Sequence, residues 1–427
     1  MRFETICVLG LGYIGLPTAS IFASNGLKVT GVDVNERILT SLRQGEPHIE
    51  EPGLRALVQA ALASGNLSIA AQPKPADAFL IAVPTPVRED KGADLSAVTT
   101  AAESIVPHLR RGNLVVLEST SPPRTTVDVV APIVERSGLR AGADFHLAYS
   151  PERVLPGQIL RELVENARVI GGIDSASSEA GRDLYSAFVR GEIVLTDATT
   201  AEMVKLMENT YRDISIAAAN EFSRLAERFG IDVWEAIAIA NRHPRIKILR
   251  PGPGVGGHCI SVDPWFLVES APEITPLIRQ ARLVNDGQPA FAAGLIERSL
   301  GGLRGRTIAA LGLAYKPDVD DLRESPAIDV ARQLAMGGAQ VKTFDPYAVE
   351  AAVPGCTAAP SLDAALKDAE AIVLLVDHRA FVDLDPMQVA ASMPGRVAVD
   401  TRGRWDRARW AGAGFRLHVL GAGESHG

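Results

Sequence analysis

The sequence predicts an α/β protein with two Rossmann-like, doubly wound domains joined by a long central helix. Three observations support this fold class. Short apolar, strand-like runs alternate with helical stretches over roughly the first 190 residues, a long helical period follows, and the alternation restarts near residue 307. Such alternation is typical of parallel sheets that are covered by helices on both faces. We therefore expect three domains, at residues 1–198, 199–302 and 303–427.

The first α/β region contains four clear strand-like runs and two later ones. Each run is rich in β-branched or other apolar residues, as strands in a covered sheet require. The predicted strands are Ile6–Leu9, Lys28–Val32, Ala78–Val83, Leu114–Glu118, Val169–Ile170 and Glu192–Leu195.

A long helix is predicted from Thr199 to about Gly230, because apolar residues recur there with a helical period. A helix of this length can connect two domains. A shorter helix follows over 232–240. The apolar residues that fall on one broad side of the long helix are Met203, Met207, Tyr211, Ile214, Phe222, Leu225 and Phe229.

The second α/β region repeats the architecture of the first without an obvious sequence repeat. Gly312 follows its opening strand and Asp345 follows its second strand, as a glycine and an aspartate do in the first region. Helices are predicted over 326–336 and 361–367. The predicted strands are Ile308–Leu311, Gln340–Phe344, Ala371–Val376 and, as the last strand of the chain, Val397–Asp400.

Composition excludes several classes of protein. Hydrophobic residues make up 47% of the chain and charged residues 22%, which excludes a disordered or fibrous protein. The 43 basic and 51 acidic residues give a net charge of −8, which argues against nucleic-acid binding through bulk charge. Three scattered cysteines favour a reducing cytoplasm over a disulfide framework. We expect no membrane span, no signal peptide and no metal site.

A glycine-rich turn follows the first predicted strand. The segment Gly10–Gly15 reads G-L-G-Y-I-G, a spacing that lets a dinucleotide pyrophosphate approach a helix N-terminus closely. Asp33 ends the second strand, where a carboxylate binds ribose hydroxyls and repels a 2′-phosphate. The alternative is a set of turn and packing glycines without a ligand. We predict a dinucleotide site, with NAD rather than NADP as the cofactor.

A second glycine-rich segment precedes a cysteine. Residues 251–259 read P-G-P-G-V-G-G-H-C, and the missing side chains allow backbone and ligand to approach the Cys259 sulfur. A reactive cysteine needs an accessible thiolate and nearby positive charge, which His258, Arg250 or a distant lysine can supply. A buried structural cysteine is the alternative. Cys7, in a predicted central strand, is expected in the core.

Lys205, Asn209 and Arg212 share one stripe of the long helix, opposite its apolar side. Such a stripe is most often a solvated face, but beside a cleft it places an amine and an amide next to a reacting centre. Two loops, 118–120 and 149–153, are expected at the carboxyl ends of strands, where open α/β sheets bind ligands. Each can instead be a turn with local hydrogen bonds.

Together these segments resemble the UDP-glucose/GDP-mannose dehydrogenase family over essentially the whole chain. The resemblance implies an N-terminal NAD domain, a central helix that builds a homodimer, and a C-terminal domain that holds the nucleotide of a UDP-sugar. It also implies oxidation of a primary alcohol to a carboxylate in two NAD-dependent steps, through a thiohemiacetal and a thioester on cysteine. The matching segments are Gly10–Gly15, Val83–Pro86, Glu118–Thr120, Ser150–Glu152, Lys205 with Asn209, Gly256–Cys259 with Asp263, and Lys316 with Arg323–Ser325.

The resemblance implies a role for each matching residue. Cys259 is the nucleophile, and Lys205 and Asn209 stabilise oxyanionic intermediates. Water and protons are handled by Asp263, Thr120 and Glu152. The implied cofactor contacts are Gly10, Gly12, Tyr13, Ile14, Gly15, Asp33, Thr85 and Thr120. The implied substrate contacts are Glu152, Arg153, Val154, Lys205, Asn209, Arg212, Gly256, Lys316, Arg323 and, reaching the neighbouring subunit, Arg245.

The cysteine loop narrows the implied substrate. Residues 256–266 read G-G-H-C-I-S-V-D-P-W-F, with Val262 where UDP-glucose enzymes carry lysine, and 153–157 read R-V-L-P-G. This version resembles the N-acetylated-sugar branch, so we expect C6 oxidation of UDP-N-acetyl-D-mannosamine for surface polysaccharide biosynthesis. UDP-N-acetylglucosamine and UDP-glucose are the alternatives. Two other classes stay open: a two-electron hydroxyacid-type dehydrogenase, which has no use for Cys259, and a non-catalytic NAD-sensing module.

Overall fold

The structure, a computed structural model, describes residues 3–257 and 259–423, which divide into two compact units. The first unit comprises the chain up to Glu208 together with Trp265–Pro272. The second comprises Asn209–Pro264 together with the chain from Glu273 onward. Each unit is built on one Rossmann-like sheet, which confirms the predicted fold class. The predicted domain boundaries after residues 198 and 302 stay predictions.

In the sheet of the first unit, later strands are added on both sides of the first strand. Its strands are β1 Thr5–Leu9, β2 Lys28–Val32, β3 Leu67–Ala70, β4 Ala78–Ile81, β5 Leu114–Leu117, β6 His146–Tyr149, β7 Arg168–Gly172 and β8 Ile193–Asp197. Their order across the sheet is β3-β2-β1-β4-β5-β6-β7-β8. The winding direction reverses between β1 and β4, and the carboxyl ends of these strands form the crevice where such sheets bind dinucleotides.

One pairing departs from the predicted parallel sheet. β6 and β7 are antiparallel, with Ala148 opposite Gly172, whereas the other pairings of this sheet are parallel. Because β7 runs antiparallel to β6, it begins at the sheet edge where β6 ends. The connection 150–167 therefore stays at that edge, on the carboxyl side of the sheet. The sequence did not reveal this direction, because a connection that contains a helix usually marks a parallel crossover.

Helices cover both faces of this sheet. They are α1 Gly15–Ser24, α2 Glu36–Arg43, α3 Leu54–Ala63, α4 Ser96–Ile105, α5 Ala131–Val134, α6 Ile159–Glu165 and α7 Ser175–Tyr185. Alternate residues of β1 enter two different apolar layers: Ile6 and Val8 belong to one layer, and Cys7 and Leu9 belong to the other. Cys7 is therefore a core residue, as predicted.

The predicted long helix is confirmed as α8, Ala198–Phe229, which runs from the first unit into the second. Its buried side consists of small and polar residues such as Ala201, Ala217, Asn220 and Ser223. Leu206 is also buried, but five of the seven residues on the predicted apolar side are exposed. Those between 43% and 76% exposed are Met207, Tyr211, Phe222, Leu225 and Phe229. Periodicity therefore predicts the helix correctly but does not show which of its sides is buried.

The sheet of the second unit is parallel throughout. Its strands are β9 Thr307–Leu311, β10 Gln340–Phe344, β11 Thr357–Ala358, β12 Ala371–Leu374, β13 Val397–Asp400 and β14 Arg416–Val419, in the order β11-β10-β9-β12-β13-β14. The prediction that 397–400 is the last strand is wrong, because β14 follows it at the sheet edge. Its sequence R-L-H-V alternates polar and apolar residues and contains no apolar run.

The helices that follow α8 lie in the second unit, except for most of α10. They are α9 Val233–Ala240, α10 Asp263–Ser270, α11 Pro276–Asp286, α12 Gln288–Leu300, α13 Pro326–Met336, α14 Leu362–Leu366, α15 Arg379–Val382, α16 Pro386–Ser392 and α17 Arg407–Gly412. Most of α10 belongs to the first unit. Across residues 3–257 and 259–423, no helix is both long and apolar enough to cross a membrane.

Candidate active site

The glycine-rich turn after β1 has the geometry of a pyrophosphate cradle. Gly10 has a φ of +92°, and a Cβ there would lie 2.5 Å from the carbonyl oxygen of Ala82. A Cβ on Gly15 would lie 1.8 Å from the carbonyl oxygen of Gly10. At Gly12, by contrast, no described atom lies within 4 Å of the Cβ position, so its backbone is open to a ligand. One glycine makes the turn, one admits the pyrophosphate and one permits helix packing, so these residues fit NAD.

Asp33 lies beside this turn at the end of β2. Its Oδ2 accepts a hydrogen bond from the backbone N–H of Leu11 at 3.0 Å, and its Oδ1 accepts one from Asn35 at 2.9 Å. A carboxylate has about four acceptor positions, so capacity remains for ribose hydroxyls. In the same unit, the Thr85 hydroxyl donates to the carbonyl oxygen of Thr120 at 2.5 Å. The predicted cofactor residues Tyr13 and Ile14 lie in the turn itself.

A buried cluster of charged side chains lies where β5 and β6 end and β7 begins. Arg168 donates to Glu118 at 2.7 Å, to Glu152 at 3.3 Å and to the Ser150 hydroxyl at 2.9 Å. The Tyr185 hydroxyl donates to Glu118 at 2.5 Å, and its ring centre lies 4.0 Å from the guanidinium carbon. Glu152 is predicted from sequence, but Arg168 is not. The sequence feature that could have identified Arg168 is a charged residue at the start of an otherwise apolar strand.

One guanidinium binds two carboxyl groups in this cluster. Burial raises the pKa of Glu118 against the attraction of Arg168, and Glu118 Oε2 has no hydrogen-bond partner among the described residues. Burial opposes the charge on Arg168, but Tyr185, Glu152 and Glu118 outweigh burial and raise the pKa of Arg168. Arg168 is therefore a fixed cation that orients Glu152, whose side chain is 10% exposed.

The predicted substrate residues Arg153 and Val154 contact the protein itself. Arg153 donates to Glu208 of α8 at 2.7 Å and to the carbonyl oxygen of Ala167. The Val154 side chain packs against the apolar layer that contains α1 and α3. Both contacts fix the loop that follows β6, and the substrate roles of these two residues stay predictions.

Glu202 connects the start of α8 to the loop that follows β5. Its carboxylate accepts hydrogen bonds from the Arg124 N–H at 2.5 Å, the Thr126 N–H at 2.7 Å and the Thr126 hydroxyl at 2.6 Å. Burial raises the pKa of Glu202 to about 7, although these hydrogen bonds favour the charged form. Lys205 follows one turn later and is 8% exposed. The helical turn that carries the predicted catalytic cation is therefore fixed to this loop.

In the second unit the structure brings two predicted catalytic residues together. The side-chain amide of Asn209 donates to Asp263 Oδ2 at 2.5 Å. The backbone N–H of Asp263 donates to the carbonyl oxygen of Cys259 at 2.8 Å, so one tight turn carries both the cysteine and the aspartate. The Cys259 side chain is partly buried. His258, a predicted source of positive charge, lies outside the described residues.

The glycines before Cys259 allow close packing. Gly257 donates its N–H to the carbonyl oxygen of Arg323 at 3.1 Å. A Cβ on Gly256 would lie 2.5 Å from the carbonyl oxygen of Glu324, and one on Gly257 would lie 2.9 Å from the Tyr315 ring. The sequence-based interpretation, that these glycines serve the approach of a ligand to sulfur, therefore misses their packing role against the segment after β9.

The remaining predicted substrate residues of the second unit lie at separate places. The Lys316 ammonium lies 5.6 Å from the centre of the Tyr315 ring, and Arg323 forms an ion pair with Asp321 at 2.6 Å. Arg212, on α8, and Arg245, after α9, are both exposed. The substrate roles of all four cations stay predictions.

The other two cysteines have thiols with a raised pKa. Cys7 lies within β1, and burial raises its pKa to about 11. Burial also raises the pKa of Cys356, whose sulfur donates to the carbonyl oxygen of Ala331 at 3.5 Å. A thiol with a raised pKa is a poor nucleophile at neutral pH. Cys259 is therefore the candidate nucleophile of this chain.

All three parts of the chain match models of one protein family. The UDP-glucose/GDP-mannose dehydrogenase family is matched by its NAD binding domain at residues 4–189, its central domain at 199–287 and its UDP binding domain at 309–407. The chain belongs to this family. It is an NAD-dependent oxidoreductase with a UDP-sugar-binding domain, as the resemblance of its motifs implies.

Individual relatives cover nearly the whole chain. The UDP-N-acetyl-D-mannosamine dehydrogenase of Methanocaldococcus jannaschii is 47% identical, with 99% of this chain and 97% of the relative covered. The NDP-N-acetyl-D-galactosaminuronic acid dehydrogenase of Ralstonia nicotianae is 48% identical, with 96% and 98% covered. The solved structure of the UDP-D-ManNAc dehydrogenase from Pyrococcus horikoshii is 42% identical, with a TM-score of 0.92 and 98% and 100% covered.

The predicted catalytic residues of this family member divide between the two units. The first unit carries Thr120, Glu152 and Lys205, and the second carries Asn209, Cys259 and Asp263. Within a unit, hydrogen bonds join Asn209 to Asp263 and fix Glu152 through Arg168. The catalytic role of each residue stays a prediction.

Proposed function

We propose that this enzyme oxidises the C6 primary alcohol of UDP-N-acetyl-D-mannosamine to the uronic acid, with NAD as the acceptor, for surface polysaccharide biosynthesis. The observation that carries the proposal is the 42–47% identity, over nearly the full chain, to enzymes named for this substrate. The loop sequence R-V-L-P-G at 153–157 supports the same sugar class. A galactosamine-type sugar is the second candidate, because the Ralstonia relative is 48% identical.

The first oxidation develops negative charge on the sugar oxygen. We assign its stabilisation to the Lys205 ammonium, assisted by the side-chain amide of Asn209. A preorganised cation lowers the barrier because its attraction is stronger in the transition state than in the ground state. The glycine turn and Asp33 would hold NAD, which would supply the acceptor for the hydride.

The second oxidation needs a covalent adduct on the protein. The Cys259 thiolate adds to the aldehyde carbon and, with one proton taken up by the oxygen, forms a thiohemiacetal. This adduct then loses its hydroxyl proton and a hydride, for which a second NAD would be the acceptor, and becomes a thioester. Water then attacks the thioester carbon, releases the carboxylate and returns the thiolate. We assign the protons of this hydrolysis to Asp263 and Glu152, with Thr120 orienting the water. Asn209 and Arg168 support this assignment because they hold the two carboxyl groups in place.

We further propose a cytoplasmic homodimer that associates through α8. The exposed apolar side chains of this helix form the kind of surface that marks protein interfaces. A cytoplasmic location is consistent with a catalytic thiol, because a reducing compartment keeps cysteine in its reactive form.

A panel of UDP-sugars tests the proposed substrate. With NAD present, kcat/KM should be highest for UDP-N-acetylmannosamine, lower for UDP-N-acetylglucosamine and lowest for UDP-glucose. UDP-N-acetylgalactosamine belongs in the panel as the second candidate. Each sugar oxidised should yield two NADH, with no aldehyde released. UDP-glucose as the best substrate would contradict the assignment to the N-acetylated-sugar branch.

A further inference from the structure

The loop between β6 and α6 is fixed by charged side chains from distant parts of the sequence. Its first half carries the predicted residues Glu152, Arg153 and Val154. Arg168 binds Glu152, and Glu208 binds Arg153, so this half is held by side chains of β7 and α8. These contacts explain the start of the loop but not its end.

The end of the loop is held by Glu51, which lies between α2 and α3. Glu51 Oε2 accepts the N–H of Gly157 at 2.7 Å, and Oε1 accepts the N–H of Ile159 at 2.8 Å. Glu51 is 8% exposed, so water does not readily replace either bond. Hydrogen bonds from backbone N–H groups to a buried carboxylate are stronger than neutral ones, so this contact fixes the loop backbone firmly.

The segment between the two anchors has further contacts of its own, since Val154 packs against the apolar layer of α1 and α3 and the Gln158 N–H donates to the carbonyl oxygen of Leu155 at 3.0 Å. Leu155 is 56% exposed, and its N–H donates to Glu162 at 2.8 Å. Gly157 has a φ of +89°, so the loop turns there in a conformation that favours glycine. Glu162 thus holds the backbone at Leu155, and Glu51 holds it at the Gly157 turn.

We propose that Glu51 is a positioning residue that sets the affinity for the UDP-sugar by holding loop residues 153–158 in their binding conformation. The proposal rests on the proposed function, because it requires this loop to contact the sugar. Glu51 acts only through the loop backbone at Gly157 and Ile159, whereas Arg168 holds the catalytic candidate Glu152 separately. Its effect therefore falls on substrate binding and not on the reacting atoms.

The substitution Glu51→Gln tests this role with little change of shape. The amide keeps one acceptor oxygen but points its NH₂ group at the other backbone N–H, so one of the two anchoring hydrogen bonds is lost. The KM for the best UDP-sugar should rise about 10-fold, the scale of one hydrogen bond to a charged group. The kcat should stay within about twofold, and the KM for NAD should not change. Glu50→Gln, at the exposed neighbouring position, is the matched control.

The substitution Gly157→Ala disturbs the same anchor from the other side. Among the described residues no atom lies within 4 Å of the Cβ position, so the added methyl group strains the backbone without a clash. We expect the same selective rise in the KM for the UDP-sugar. The double variant should raise this KM by less than the product of the two single effects, because both act on one contact.

The outcomes separate this proposal from the proposed function. An active enzyme whose sugar KM is unchanged in Glu51→Gln and Gly157→Ala, or whose kcat falls instead, overturns the role of Glu51 and leaves the proposed function intact. If Glu51→Gln does not fold, Gly157→Ala decides alone. An unsubstituted enzyme that neither binds nor oxidises any UDP-sugar overturns the proposed function and this proposal together.

Discussion

The carboxylate of Asp33 is held beside the glycine turn by two backbone N–H groups. A 2′-phosphate at this position would place two negative groups in contact, so the charge of Asp33 disfavours NADP. In Asp33→Asn the ratio of kcat/KM for NAD to that for NADP should fall. Steady-state kinetics with both cofactors measures it, with Glu36→Gln on the exposed start of α2 as the control. Equal use of NAD and NADP by the unsubstituted enzyme would show the assignment of Asp33 to be wrong.

Lys205 is a buried cation one turn beyond the Glu202 anchor. If it stabilises the oxyanion, Lys205→Ala should lower kcat by roughly 10²-fold or more, the effect of removing one such donor. The KM for the UDP-sugar should change little, because the interaction is made mainly in the transition state. Single-turnover kinetics and a melting curve of the variant check this. A variant with near-normal turnover would make Lys205 a structural residue.

Single functional residues can be predicted from the sequence where they lie in a motif, but not where they act through partners that are distant in the sequence. Asp33 and Cys259 are recognisable because the chemistry needs them next to glycine-rich turns. Arg168 and Glu51 bind loop residues 16 and 106 positions away, respectively. The spacing of residues within one segment cannot predict these pairs, because the fold of the sheet and its connections brings them together.

Among the elements, α8 shows what periodicity can and cannot predict. Its bounds, Ala198–Phe229, agree closely with the predicted helix. Most residues of its predicted apolar side are exposed, whereas small residues such as Ala217 and Ser223 are buried. The direction of β7 could not be predicted from the sequence either, because a strand sequence is compatible with either direction. Both features depend on neighbours that a single segment does not contain.

Glu202 makes the connection between α8 and the loop after β5 sensitive to pH. Its pKa is raised from 4.5 to about 7, mainly by burial, so the folded protein binds this proton more tightly than the unfolded chain. Its contribution to stability is therefore full below pH 4.5 and is lost as the pH rises through 7. Relative to Glu202→Gln, the free energy of unfolding should fall across this window, by at most about 1.4 kcal/mol per pH unit.

Chemical denaturation of both proteins across the same pH window measures this difference. The titration of other groups is common to the two proteins and cancels in the comparison. A difference in the free energy of unfolding that stays constant with pH would show that Glu202 keeps an ordinary pKa.

For the whole molecule, the exposed side chains of α8 predict the assembly state. Tyr211→Glu and Leu225→Glu each place a charge on the proposed interface, where burying it without a partner is costly. Each variant should shift the dimer towards monomer, as measured by sedimentation velocity. Met336→Glu replaces a similarly exposed apolar residue on α13 and should leave the assembly unchanged. Unaltered dimers in both α8 variants would contradict the proposed interface.

The architecture of the whole chain was largely predictable, because the two alternating regions and the helix between them repeat known patterns. The two sheets have related strand orders, and Gly312 and Asp345 occupy positions equivalent to Gly10 and Asp33. Their surroundings differ, since Asp345 is fully buried and contacts His378 at 3.0 Å. The similar placement of a glycine and an aspartate in both regions therefore predicts the fold of the second unit but not the environment of Asp345.

The central claim is that Cys259 carries the substrate between the two oxidations. The most direct test compares NADH and uronic acid formed per UDP-sugar in Cys259→Ala and in the control Cys356→Ala, whose thiol has a raised pKa. The control should form two NADH and one acid per sugar. In Cys259→Ala, NAD and the UDP-sugar should still bind, but acid formation should collapse because no thiohemiacetal can form. A Cys259→Ala enzyme that still makes acid with two NADH per sugar would contradict the covalent mechanism.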